Sequence, residues 1–575
     1  MFVRRGAARL IAALAALLLV GALVSLLAWR PVIRPWMYAR VGEKNTDELV
    51  KGTVAYLYLQ LTQPRLDLDP YAPIAHSGVP PFGVNTFLEQ EVEPAKLARS
   101  LDMIRDAGFR FIRQEFPWED IEISGKGDFC DHKWNKSAWE KYDRIVDMAN
   151  ERGLELIVRL DNPPEWTRAD GNARGTFAPP DRIEDFGDFV AAVVGRYRGR
   201  VRYYQIWNEP NIYPEWGEQP VDARGYTRLL QEAYRRAKEA DPDCVILSAG
   251  LAPTIEMGPR NLSDLVYLQQ MYDAGAKDYF DILGVQAYGI WTGPTDHRLG
   301  PDRTNFARPQ LIRAIMVRNG DSSKPMWATE IGWNAIPIGH PDTPMFGRVS
   351  REEQARYAVE AYERAQREWP WMGVMNYWFF KRATDAEKNQ AFYYFALVEP
   401  DFTPWPAYEA LREYLNRPPV VYPGYHQEDH WALSYSAGWQ QRRDAASVLG
   451  GYQQAAPGAS LHFTFWGSEL DLVASGTASP DAVRVRVDGA PVRPRPVRID
   501  GRAGLAIARY ASPGEHTVEI EVAGEGFALD GLIVRRSDRR GAYAAMGLVA
   551  SAAVAAGLIL ARRQVGRARR ARRDG

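Results

Sequence analysis

One rhythm constrains this chain more than any other: between residues 81 and 416, short apolar runs alternate with stretches of helical periodicity. The runs are residues 82–85, 109–115, 154–160, 201–207, 245–249, 280–287, 325–329 and 373–380, eight in all. Helical stretches such as 95–107, 139–152, 183–197 and 352–368 lie between them. A short run apolar throughout suits a strand buried on both faces, and its alternation with helices makes parallel βαβ units. Eight such units predict a (β/α)8 TIM barrel spanning 81–416. A doubly wound sheet is the competing architecture. It usually carries a Gly-rich phosphate turn after its first strand, and Phe82-Gly83-Val84-Asn85-Thr86-Phe87 is not one.

The pattern changes after Pro418, Pro419 and Pro423. Residues 424–535 have no long helical period and hold segments that alternate with period two, such as Leu461-His462-Phe463-Thr464-Phe465 and Val483-Arg484-Val485-Arg486-Val487. Turn-rich breaks separate them. The expectation is an antiparallel β-sandwich of jelly-roll type. Ahead of the barrel, residues 41–80 form a stem. Its stretch 53–59, Thr-Val-Ala-Tyr-Leu-Tyr-Leu, reads as a strand that could join the C-terminal sandwich.

Charge separates the ends from the body. The formal net charge is −1, which speaks against a nucleic-acid partner. Yet residues 1–9 carry Arg4, Arg5 and Arg9, and residues 562–575 carry seven Arg and one Asp, which leaves −10 for residues 10–561. Inside these basic ends lie two uncharged apolar runs, 10–29 and 541–561. About 20 apolar residues span the ~30 Å hydrocarbon core of a bilayer. Both are therefore expected to be transmembrane helices, the first uncleaved. Basic flanks favour the cytoplasm. The expected protein is a two-pass protein of the cell membrane, with cytoplasmic termini, a basic cytoplasmic tail at 562–575 and an extracytoplasmic barrel. The lipid bilayer is thus one predicted partner.

Reactive groups in such a barrel stand at the carboxyl ends of the strands. The fourth run ends Gln205-Ile206-Trp207-Asn208-Glu209-Pro210, and the seventh ends Met326-Trp327-Ala328-Thr329-Glu330. Two glutamates therefore face one mouth. A carboxyl pair across a sugar-sized cleft is what glycosidic bond cleavage needs: one protonates the leaving oxygen and the other attacks the anomeric carbon.

Trp207-Asn208-Glu209-Pro210 resembles the acid/base signature of the clan A glycoside hydrolases, and Glu330 matches that clan's nucleophile. Families 39 and 5, the latter cellulase-like, look nearest. The resemblance implies a retaining mechanism. It also implies Arg113 as the cation that holds the nucleophile ionised, Asn208 as the partner of the sugar 2-OH, Tyr288 as a hydrogen-bond donor to the nucleophile and Trp378 as the platform under the reacting sugar. One departure stands out: the clan often has His-x-Tyr on strand six, and this chain has Gln286-Ala287-Tyr288.

Eighteen Trp and twenty-eight Tyr suit a sugar cleft, because aromatic faces stack on apolar sugar faces. Trp207, Trp333 and Trp166 join Trp378 as candidate substrate contacts. Trp431, Tyr435, Trp439 and Trp466 could stack on glycan or serve packing. No metal and no cofactor is expected; His426 and His430 lack a clear third ligand. Cys130 and Cys244 fall on different βα units, and no bridge is predicted. The expected activity is hydrolysis of O-glycosidic bonds in an extracellular or exported polysaccharide. Transglycosylation at the same site, or a non-catalytic membrane-tethered glycan-binding role, are the alternatives.

Overall fold

A computed structural model describes residues 34–524 and 526–537. The apolar runs 10–29 and 541–561, and the basic tail, lie outside the described residues. Among those described, no helix is long and apolar enough to cross a membrane. The chain divides into two compact units, one built from 34–69 and 75–417 and the other from 70–74 and the residues from 418 onward.

The first unit is a parallel barrel. Its strands are β1 (Phe82–Thr86), β2 (Phe111–Glu115), β3 (Glu155–Leu160), β4 (Tyr203–Ile206), β5 (Val245–Leu247), β6 (Leu283–Gln286), β7 (Met326–Ile331) and β8 (Met372–Tyr377). Their order is β5-β4-β3-β2-β1-β8-β7-β6. Parallel bridges Leu247–Ile282 and Leu251–Val285 join the two ends and close the ring. Helices α1 (Arg34–Val41) and α2 (Thr46–Thr62) precede the barrel. Eight more alternate with its strands: α3 (Pro94–Asp106), α4 (Glu140–Asn150), α5 (Ile183–Arg196), α6 (Ala223–Ala240), α7 (Asp264–Asp273), α8 (Pro309–Arg318), α9 (Arg351–Glu368) and α10 (Pro406–Leu415). Local chemistry sets their starts. Asp222 caps α6 by accepting from the Arg224 amide, and Ser350 and Glu353 form a reciprocal capping box on α9.

A layer of apolar side chains fills the barrel floor: Phe111, Ile157, Tyr203, Val245, Leu247, Ile282, Trp327 and Val374. Inward positions recur every second residue. Arg113 and Gln205 therefore stand one layer above Phe111 and Tyr203, where polar chemistry begins. Glu330 is three residues from Trp327, so strict alternation would turn it outward. The ladders show why it is not. Between Ala328 and Glu330 β7 advances two residues while β6 advances one, from Val285 to Gln286. Against β8, β7 advances three residues from Ala328 to Ile331 while its partner advances two. An extra residue on β7 is a β-bulge, which re-aims a side chain. It brings Glu330 back to the interior.

The stem departs from the sequence expectation. Residues 53–59 are not a strand and do not pair into the C-terminal unit; they lie within α2. The physical reason is at the N-terminal end of the helix and on one face. The Asn45 side chain accepts from the Asp47 amide, and Asp47 and Glu48 complement the positive end of the helix. Leu49, Gly52 and Thr53 are buried at helical spacing. A Cβ at Gly52 would lie 2.9 Å from the Arg298 guanidinium, so glycine permits the close approach. Arg298 also pairs with Glu43 at 2.8 Å, and Lys44 pairs with Glu353.

The second unit is an antiparallel β-domain. Strand Ser460–Ala474 pairs with both Arg502–Val522 and Phe527–Arg535. In Val483–Val487 the valines are buried and the arginines exposed, the period-two pattern of a sheet with one wet face. Arg484 faces Glu521 across the ladder at 3.2 Å. Trp431, Tyr435 and Trp439 pack on this unit's own core. The His426 ring hydrogen-bonds the Tyr422 carbonyl at 2.7 Å, and burial lowers its pKa to about 4. Among the described residues, no group of His, Cys, Asp and Glu is arranged to hold a metal.

Candidate active site

Arg113 organises the mouth of the barrel. Its Nε donates to Gln205 Oε1 at 2.7 Å. Nη1 donates to Asn85 Oδ1 at 2.7 Å and to Glu330 Oε1 at 3.0 Å. Nη2 donates to Asn208 Oδ1 at 2.9 Å. One guanidinium thus ties together β1, β2, β4 and β7, using the planar fork that lysine lacks. Asn85 in turn donates to the Thr329 carbonyl at 3.0 Å, which pins the bulge beside Glu330. The other oxygen of Glu330, Oε2, accepts from the Tyr288 hydroxyl at 2.7 Å. Glu330 is 5% exposed, with a donor on each oxygen, the surroundings of a carboxylate.

Glu209 has the opposite surroundings. Burial, then the charges of Glu330 and Glu215, push its pKa well above the usual carboxyl range, against smaller opposing effects of Gln286 and Arg113. Both causes favour its neutral, proton-bearing form. The chain enters this position through unusual backbone: Trp207 and Glu209 have φ of 71° and 38°. Left-handed non-glycine residues cost of order 1–2 kcal/mol each. The Trp207 indole N–H to the Glu215 carbonyl, at 2.8 Å, helps hold the turn.

Glu209 and Glu330 line one cavity of about 280 Å³. Gln286, Tyr288 and Trp378 share its wall, with Ile212, Ile290, Phe346, Phe392 and Phe395. Half-buried Trp378 is the tryptophan of this wall. The other predicted aromatic contacts lie elsewhere. Trp207 and Trp333 are 1% and 0% exposed, and the Trp333 indole N–H bonds the Thr292 carbonyl at 2.8 Å. They are core residues with no face to offer a sugar. Trp166 packs edge-on against Trp118 and donates to the Glu122 carbonyl.

Several residues at the mouth were not among the predicted site residues. Asn85, Gln205 and Gln286 are polar positions at strand ends, and that placement was their signal. Glu215 and Phe346 sit on loops after β4 and β7, and Phe392 and Phe395 follow β8; these loops carry no periodicity to mark them. Burial raises the pKa of Glu215 to about 7, opposed by Arg159 and by the Asn208 amide. A second half-buried carboxyl, Glu89, is also raised to about 7, by loss of solvation and then by Glu115. Glu115 itself pairs with Arg159 at 2.5 Å and accepts from Asn162 at 2.6 Å.

The barrel and its paired strand-end carboxyls define a class, the barrel of glycosidase type. Residues 74–261 match the family model described as cellulase (glycosyl hydrolase family 5). Among curated proteins, Beta-glucosidase 31 of Arabidopsis thaliana is 21% identical over 266 residues, covering 46% of this chain. The match spans 43% of that relative's length. Similar solved structures include a family 39 glycoside hydrolase from Bacteroides cellulosilyticus, 18% identical, covering 80% of this chain and 82% of the other at a TM-score of 0.45. A family 39 β-xylosidase from Caulobacter crescentus is 16% identical, covering 80% and 99%, at 0.42. A family 5 structure from Streptomyces cattleya in complex with GlcNAc is 18% identical, covering 60% and 80%, at 0.44.

Proposed function

We propose that this chain is a retaining glycoside hydrolase that cleaves O-glycosidic bonds of an exported polysaccharide. In this reading it is tethered through residues 10–29 and 541–561, with both termini in the cytoplasm. One observation carries the chemical part: Glu330, held by Arg113 and Tyr288, shares a cavity with Glu209, whose pKa is raised by its surroundings and by the charge of Glu330.

Glu330 attacks the anomeric carbon while Glu209 gives its proton to the departing glycosidic oxygen. The sugar is then esterified to Glu330, which no longer carries charge. That removes one cause of the raised Glu209 pKa, so Glu209 can now act as a base. It takes a proton from water, the resulting hydroxide equivalent displaces Glu330, and both carboxyls return to their starting states. Two inversions give net retention.

The apolar cavity wall supports a second reading, transglycosylation, in which a sugar hydroxyl replaces that water. Phe346, Phe392, Phe395, Ile212 and Ile290 offer water few partners beside the carboxyl pair. Product analysis with and without added oligosaccharide acceptor separates the two: only transfer gives lengthened products. The shared double displacement is tested with Glu330→Ala. Azide should restore turnover of an aryl glycoside and yield the glycosyl azide of inverted configuration. Absence of rescue across a panel of aryl glycosides, with a folded variant, contradicts the nucleophile assignment.

A further inference from the structure

Helix α2 presents an apolar face that no described part of the chain covers. Val50, Val54, Leu57, Tyr58 and Leu61 are 43%, 63%, 46%, 64% and 86% exposed. At about 100° per residue they occupy an arc of about 100°, and at 1.5 Å per residue they extend about 16 Å along the helix. Monomeric surfaces seldom expose a continuous apolar stripe, and such stripes mark interaction sites. This one cannot turn away. The opposite side of α2 is locked by buried Leu49, Gly52 and Thr53, and the preceding residues by the pairs Glu43–Arg298 and Lys44–Glu353.

The sequence just upstream indicates what meets the stripe. Residues 10–29 are twenty uncharged, mostly apolar positions, and α1 begins at Arg34. A bilayer holding that run would lie within a few residues of α1. Trp36, 44% exposed, and Tyr58 are aromatic types that favour the membrane–water boundary. Exposed Arg34 adds a cation at the level of lipid phosphates. Apolar side chains on the outer side of a helix rest at the boundary of headgroups and acyl chains; on the other side of α2, Leu49 and Tyr56 pack with Met37 and Val41 of α1.

We propose that α2 is an interfacial helix whose stripe rests in the outer leaflet of the bilayer. The inference rests on the membrane-anchored reading above and goes beyond it by fixing an orientation. The stem is attached at the loop that follows β6: the His297 amide donates to the Arg40 carbonyl at 2.8 Å, and a Cβ at Gly42 would touch Thr295 at 3.2 Å. That loop runs back along the flank of the barrel, where Arg364 donates to the Asp296 carbonyl at 2.8 Å and Glu368 meets the His297 ring at 3.1 Å near the end of α9. A stripe seated in lipid would hold this flank of the barrel against the membrane surface, where a polymer leaving the cell emerges.

The test uses the full chain in vesicles of phosphatidylcholine and phosphatidylglycerol. Cys130 is changed to Ser; Cys244 stays, because it is 1% exposed and burial pushes its thiol up to about 12. Single cysteines at Val54, Leu61 and, as a control on another face, Glu48 carry a nitroxide. Collisions with oxygen, which concentrates in lipid, are compared with collisions with a water-soluble nickel chelate. The expected result is a severalfold excess of oxygen over nickel collisions at 54 and 61, reversed at 48. Nickel-dominated collisions at 54 and 61 on a chain that floats with the vesicles overturn the interfacial helix and leave the anchor standing. Shielding from both reagents also overturns it, because protein then covers the stripe. A chain that does not float with vesicles overturns the anchor and the inference together.

Discussion

Arg113→Met tests the organisation of the mouth most sharply. The substitution keeps much of the side-chain length and removes the charge and all four hydrogen bonds, to Gln205, Asn85, Glu330 and Asn208. Arg113 and Glu330 are 2% and 5% exposed, so solvent cannot replace the lost cation. Removing one partner of a buried ion pair costs about 3–5 kcal/mol. If that penalty falls on the charged nucleophile, kcat/KM drops by roughly two to three and a half orders of magnitude, at ~1.4 kcal/mol per tenfold. Arg113→Lys keeps the charge and loses the fork, so its activity should lie between the variant and the wild type. The assay is kcat/KM on the best aryl glycoside found in a panel, with circular dichroism and thermal melting as controls for folding. A folded Arg113→Met within tenfold of wild type would refute the role assigned to this network.

The remaining predictions concern acid, burial and packing. Glu209→Gln should lose about 10²–10⁴-fold on glycosides with poor leaving groups and far less on activated aryl glycosides; equal losses would contradict the acid role. Because the Glu209 pKa is raised, its acid form persists to higher pH than a free carboxyl, and wild-type activity should fall as pH rises through that raised value. With an activated aryl glycoside this alkaline limb should vanish in Glu209→Gln. Glu89 has a folded pKa of about 7 against a usual 4.5, so the folded state binds more protons in that window and its stability decreases as pH rises from 4.5 to 7. Glu89→Gln should therefore shrink the difference in melting temperature between pH 5 and pH 8, and an unchanged difference would show that the side chain is hydrated. Gly373→Ala places a Cβ 2.1 Å from the Trp327 indole nitrogen in the barrel floor, and denaturant melts should show a loss of about 1–3 kcal/mol, the usual cost of overpacking.

The barrel strands were legible because strands buried on both faces write themselves as short, predominantly apolar runs. Glu209 and Glu330 stood out because each lies within two residues of the end of such a run, and the structure brings both to one cavity. The bulge that turns Glu330 inward did not. It exists only in the mismatch of β7 with both of its neighbours, and a single strand's sequence carries no trace of that register. The stem failed for a related reason. Thr53 to Leu59 is too short for period two and period 3.6 to be told apart, and the deciding contacts, Gly52 against Arg298 and the Asn45 cap, lie outside that window. Position at a strand end brought Trp378 to the cavity but did not bring every tryptophan there. Trp207 and Trp333 hide behind the wall they were expected to form, while the wall itself draws Phe346, Phe392 and Phe395 from aperiodic loops.

The central claim is that Glu330 forms a covalent bond to sugar. A panel of 2-deoxy-2-fluoro glycosides with activated leaving groups slows the second displacement more than the first, so an ester intermediate accumulates. Intact-mass analysis followed by peptide mapping should then find one fluoroglycosyl group, on the peptide containing Glu330, and none in Glu330→Gln. An adduct on another carboxyl, or inactivation-free turnover with inverted product across the panel, would contradict it.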